Sequence, residues 1–119
     1  MSILVASTRA DALAEFTNSL AATTGQDVEI RTTGEAIIDS IKATPPSLVV
    51  VDEGLNGFAP LALVLEIVKI SAMTHTAVVT DMDGEEFHEK SEGLGVLMPL
   101  PVNPGKADAE KLAEALGRM

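Results

Sequence analysis

Short apolar runs alternate along this chain with amphipathic stretches, and turn residues separate them. Ile3–Ala6 reads as a buried strand. Ser7 or Thr8 is placed to cap a helix, with Asp11 as a weak capping box, and Leu13, Phe16 and Leu20 form its apolar stripe up to Gly25. Val28–Thr32 is a second strand. Thr33 is placed to cap a second helix that turns Ala36, Ile37, Ile38 and Ile41 inward. Pro45 and Pro46 stop it and deliver the chain to Ser47-Leu48-Val49-Val50-Val51-Asp52, an apolar strand ending in one carboxylate.

Gly54 and Gly57 then make a flexible loop, and Pro60 suits the first turn of a helix over Leu61–Met73. Thr76–Thr80 is a fourth strand. Asp83-Gly84 turns into a short charged helix through Lys90, closed near Gly93. Val96–Met98 is a fifth strand, followed by a proline-rich turn, Pro99–Pro104. Asp108–Leu116 is the last helix, with Leu112, Ala115 and Leu116 inward. Five strand–helix units with short connections predict an α/β fold: a flavodoxin-like doubly wound parallel sheet ordered 2-1-3-4-5, with five helices on both faces. The ends of the strands at Ser7, Asp52 and Thr80 then meet at one edge, where such sheets build their sites.

One helix departs from the ordinary pattern. On a helical wheel the apolar arc of Leu61–Ala72 spans about 220°, against a usual stripe of a little over 100°. The sheet and neighbouring helices cover part of that arc. The remainder, near Leu61, Leu65 and Val68, is the candidate patch for self-association, including a homodimer, or for a protein partner.

Composition narrows the function classes. The 119 residues fit one domain spanning 1–119, and 46% apolar content supports a packed core. Aromatics are limited to three Phe, so that core is aliphatic. A formal net charge of −10 argues against nucleic acid and anionic membranes as partners. The chain has no cysteine, which removes disulfides and thiol chemistry and is compatible with the cytoplasm. The first residues lack a basic start followed by an apolar stretch, so no signal peptide is expected. His75 and His88 are isolated and read as surface histidines. Asp83-Gly84 with Glu85 and Glu86 lacks the ligand ladder of a calcium loop and reads as a solvated turn and helix start. There is no glycine-rich phosphate loop, no Ser-His-Asp set and no metal-spaced histidine pair.

Over essentially its whole length the chain resembles the receiver domains of two-component response regulators. The resemblance rests on five βα units, Asp52 ending the third strand, Thr80 ending the fourth, and Gly93-Leu94-Gly95-Val96-Leu97-Met98-Pro99-Leu100-Pro101. It implies that Asp52 holds the position of the phospho-acceptor and Thr80 that of the hydroxyl that contacts the phosphoryl group. Pro101 matches a proline that is usually cis. The acidic pair that holds Mg²⁺ in the family falls on Ser7 and Thr8, the lysine on Leu100, and the switch aromatic on Leu97. Asn56 stands where a proline is common, and Pro60 where a glycine is common.

These departures bear on chemistry. Ser7 and Thr8 offer Mg²⁺ only neutral hydroxyls. Of the carboxylates close in sequence, Asp11 lies one turn into the first helix and Glu53 points to the other face of the strand end. Phosphoryl transfer relies on cations to offset charge on the equatorial oxygens, and Asp52 is expected to stand without them. The resemblance therefore implies a degenerate receiver in phosphorelay-type signalling. It is expected to be no enzyme, to need no cofactor, and to act by phosphorylation-independent protein–protein interaction. Its candidate surfaces are the third helix and the face of the fourth helix, fifth strand and fifth helix that the family uses for output. Two alternatives stand beside it: an active acceptor at Asp52 with a rearranged Mg²⁺ site, and a small-molecule-binding domain on the same fold.

Overall fold

The structure, a computed structural model, describes residues 2–55 and 59–118. Asn56 and Gly57, singled out above, lie outside those residues. The elements run β1 (Ser2–Ala6), α1 (Ala14–Thr24), β2 (Asp27–Arg31), α2 (Gly34–Ala43), β3 (Leu48–Val51), α3 (Pro60–Ile70), β4 (His75–Val79), α4 (Gly84–Ser91), β5 (Val96–Leu100) and α5 (Lys106–Gly117). All five strands are parallel, in the order 2-1-3-4-5. The expected architecture is the observed one.

Alternation along each strand divides the core in two. Ile3, Val5, Leu48, Val50, Ala77, Val79 and Leu100 face α1 and α5, meeting Leu13, Phe16, Leu20, Ala109 and Leu112. Leu4, Ala6, Val49, Val51 and Val78 face the other way, meeting Ile37 and Ile41 of α2, Leu63, Val64 and Ile67 of α3, and Phe87 of α4. β3 is buried along its whole length. That is why it reads as a continuous apolar run rather than an alternating one.

The helix ends follow local chemistry. Thr33 accepts from the Ala36 amide at 3.1 Å, and Asp83 accepts from the Glu86 amide at 2.8 Å. Gly25 ends α1 at φ 70°, a left-handed conformation that glycine adopts at little cost.

Three sequence expectations differ from the structure. The third helix, expected to run to Met73, ends at Ile70. Neither Ser7 nor Thr8 caps α1, because turns occupy residues 10–13 and the helix starts only at Ala14. The fifth strand does not stop at Met98 but continues through Pro99 and Leu100. β5 lies at the edge of the sheet, where a proline without an N–H is tolerated. A register shift also interrupts its pairing: Thr76 pairs with Val96 and Ala77 with Met98, so Leu97 is the extra residue of a bulge.

Candidate functional site

The order of the strands reverses between β1 and β3, so their carboxyl ends border the crevice where doubly wound sheets place ligands. Backbone pairing continues past the strands and fixes the residues that follow. The Asp52 amide donates to Ala6 O at 2.9 Å, and the Ser7 amide to Arg31 O at 3.0 Å. Asp52 and Ser7 are therefore neighbours on adjacent strands, although 45 residues separate them. Both are buried, and Asp52 has no exposed surface.

A buried carboxylate needs partners, and three residues give Asp52 four hydrogen bonds. Arg9 approaches it with two prongs: Nε donates to Oδ2 at 2.8 Å and Nη2 to Oδ1 at 2.7 Å. The Ser7 hydroxyl donates to Oδ2 at 2.7 Å, and the Glu53 amide to Oδ1 at 2.9 Å. Each carboxylate oxygen thus accepts two hydrogen bonds, which uses its ordinary capacity. The fork geometry of arginine is the strongest of the common carboxylate pairings.

Arg9 reaches beyond Asp52. Nη2 also donates to Val102 O at 2.8 Å, and Nη1 to Asn103 Oδ1 at 3.4 Å. The Arg9 amide in turn donates to Ser7 Oγ at 2.9 Å, closing a tight turn that aims the side chain back over the sheet edge. One guanidinium so ties the β1–α1 loop to the end of β3 and to the β5–α5 loop. The pKa of Arg9 is raised, chiefly by the hydrogen bond to Asp52. Burial opposes the rise, and the charges of Asp52 and Glu53 add to it. Arg9 stays a cation under any physiological condition.

Leu100 still stands at the family's lysine position, but the expectation that no other counter-charge lies beside Asp52 is overturned. The charge comes from Arg9, two residues past the hydroxyl position that had been compared with the metal-binding pair. A signal for it was present: of the five loops at the carboxyl edge, only the one between β1 and α1 carries a basic residue.

Thr80 is buried beside the edge, and its hydroxyl accepts from the Met82 amide at 3.2 Å, capping its own turn. Its amide donates to Leu100 O at 2.9 Å. Leu100 is buried in the core beneath α1 and α5, and Leu97 packs at the margin of the same cluster. Thr8 and Asp11 are exposed, and Glu53 is half-buried. Pro101 is not cis: among the described residues every peptide bond is trans, the preferred state of an X–Pro bond by about 0.5–1 kcal/mol. His75 begins β4 and His88 lies exposed on α4. In the α3 patch only Leu65 is exposed. Leu61 and Val68 are half-buried against the core, because the sheet side of the helix is wide enough to take them in.

Chemically this is a closed site. A carboxylate that attacks phosphorus needs a free lone pair and an open approach, and the buried Asp52 offers neither while all four donors stay in place. The Arg9 charge is spent on Asp52 itself, and the two donors that hold it are not free for the oxygens of an incoming phosphoryl group. The donor set does not fit Mg²⁺ either. Asp52 is the one buried acidic side chain among the described residues, and a guanidinium already covers both its oxygens. Among those residues no three His, Cys, Asp or Glu side chains are grouped as a metal site would need.

No family model matches the chain, and no curated protein does. Solved structures match over its full length. The receiver domain of NtrX from Brucella abortus superposes with a TM-score of 0.81 at 20% identity, covering 99% of this chain and 100% of that one. A two-component response regulator from Legionella pneumophila gives 0.79 at 17% identity, covering 100% and 99%. The chain has the fold of response-regulator receivers. A DNA-binding response regulator of the LuxR family from Staphylococcus aureus shares this receiver fold with a TM-score of 0.78 at 17% identity, covering 98% and 96%. Identities this low establish the fold and leave function to be argued from the site.

Proposed function

We propose that residues 1–119 form one degenerate receiver domain, which serves signal transduction by protein–protein interaction without phosphorylation. The observation that carries this reading is the two-pronged pair between Arg9 and Asp52, which neutralises the acceptor position internally. A receiver switches by gaining charge at its aspartate. Here the counter-charge is built into the chain and already joins three loops, so the edge is set in one state. The hydroxyl positions Ser7 and Thr80 keep structural work as partners of Asp52 and of the β4–α4 turn. On this reading the domain catalyses no reaction, needs no cofactor and presents surfaces to other proteins. Those surfaces are α3 and the face of α4, β5 and α5. A cytoplasmic setting goes with it. Among the described residues no helix is long and apolar enough to cross a membrane.

Thermal melting in Mg²⁺ tests the closed site. A site binding Mg²⁺ with a Kd of about 1 mM would gain roughly 1.4 kcal/mol at about 10 mM Mg²⁺. The expected result is no Mg²⁺-dependent rise beyond that of an Asp52→Asn control. A rise confined to the wild type would favour the active-acceptor alternative instead.

A further inference from the structure

The large hydrophobic side chains most exposed among the described residues all lie in α3 or the turn after it: Leu65 at 42%, Ile70 at 39% and Met73 at 88%. Between them stand Glu66 and Lys69, the only charged residues from 59 to 73. They pair with each other at 3.5 Å. This stretch is therefore neutral in a chain of net charge −10, so α3 itself adds no charge repulsion between two equally acidic copies.

The order of these residues decides the occupant. Reflected about the point between Ile67 and Val68, Leu65 exchanges with Ile70 and Glu66 with Lys69, while Ala62 exchanges with Met73. A two-fold axis through that point would set two α3 helices antiparallel. Leu65 of one copy then lies level with Ile70 of the other, and Glu66 level with Lys69. A two-fold interface must be self-complementary in this way, with each residue meeting its exchange partner. An unrelated partner has no need of it.

We infer that α3 is the contact face of an antiparallel homodimer, with Leu65, Ile70 and Met73 as its apolar contacts and Glu66–Lys69 pairs crossing between copies. This names a partner for one of the two surfaces proposed above and so rests on the reading of the chain as an interaction module. It is read out separately, because the state of Asp52 does not enter the measurement.

One pair of 11-residue helices falls near or below the low end of specific interfaces, about 1,200 Å² in total, so the dimer is of the weak class. Sedimentation equilibrium of the full chain from about 10 μM to 1 mM covers that range. Wild type is expected to approach dimer mass at the upper end, and Leu65→Glu to weaken association at least tenfold. Glu66→Lys lowers the overall negative charge by two, which would help any unspecific association, yet it sets like charges opposite each other and is expected to weaken the dimer several-fold. Lys69→Glu should do the same. The double swap Glu66→Lys with Lys69→Glu is expected to restore wild-type affinity. All these positions are exposed or half-buried, and melting curves confirm that each variant is folded. A wild type that stays monomeric throughout would overturn the inference and leave the face to a different occupant. So would single swaps that associate as well as wild type, or a double swap that fails to recover.

Discussion

Arg9→Ala removes two charge-assisted hydrogen bonds from a carboxylate with no exposed surface. Deleting one partner of a buried ion pair costs about 3–5 kcal/mol, because the other charge stays buried. Two features of this site reduce that figure. The Arg9 side chain keeps 29% of its surface exposed, so water enters the space it leaves. Ser7 and the Glu53 amide also go on donating to Asp52. The expected loss is about 2–3 kcal/mol. In a domain of this size each kcal/mol moves Tm by about 4 °C, so the midpoint should fall by about 8–12 °C. Urea unfolding of Arg9→Ala, Asp52→Ala and the double variant closes a cycle, with an expected coupling energy of about 2 kcal/mol. Arg9→Lys should recover only part of the loss, since an ammonium cannot grip both oxygens of one carboxylate at once. The raised pKa of Arg9 also fixes the alkaline behaviour. A cation whose folded pKa is raised contributes fully below its unfolded value and loses that contribution only above it. The Arg9 share should therefore be undiminished at about pH 10. Additive single variants, or an Arg9→Ala chain within about 0.5 kcal/mol of wild type, would refute the clamp.

Three further substitutions probe its surroundings. Ser7→Ala removes one bond to a buried carboxylate and the acceptor of the Arg9 amide, and should cost about 1.5–2 kcal/mol by urea unfolding. Leu100→Ala opens a cavity in the core beneath α1 and α5, and should cost about 3 kcal/mol, with a lower urea midpoint and an unchanged slope. Thr33→Ala removes the cap of α2, and should cost about 1 kcal/mol with no effect on the Arg9–Asp52 coupling energy.

The fold was readable because its signals are local. The apolar run Leu48–Val51, the cap at Thr33, the turn into a helix at Asp83-Gly84 and the stop at Gly25 each depend on a few consecutive residues, and each stands where expected. β5 was cut short because prolines read as turn, whereas an edge strand accommodates them. The position of Asp52 was readable for the same reason as the fold, since a strand end is a local feature. Its environment was not. Arg9 lies 43 residues from Asp52 and does not fall on any position that the resemblance marks. Its role depends on the parallel register of β1 with β3 and on the turn that Ser7 makes with the Arg9 amide. The α3 patch was half readable: a helical wheel marks an excess of apolar surface, but packing decides that Leu61 and Val68 turn inward while Leu65 stays out.

The most direct test of the proposed closure of Asp52 is intact-mass spectrometry after incubation with acetyl phosphate and Mg²⁺, with Asp52→Asn and Arg9→Ala measured alongside the wild type. If Arg9 holds Asp52 out of phosphoryl chemistry, the wild-type mass stays unchanged at times that fully phosphorylate an active receiver. A gain of about 80 Da in the wild type, lost in Asp52→Asn, would show that the carboxylate is free to react and would contradict the internal neutralisation proposed here.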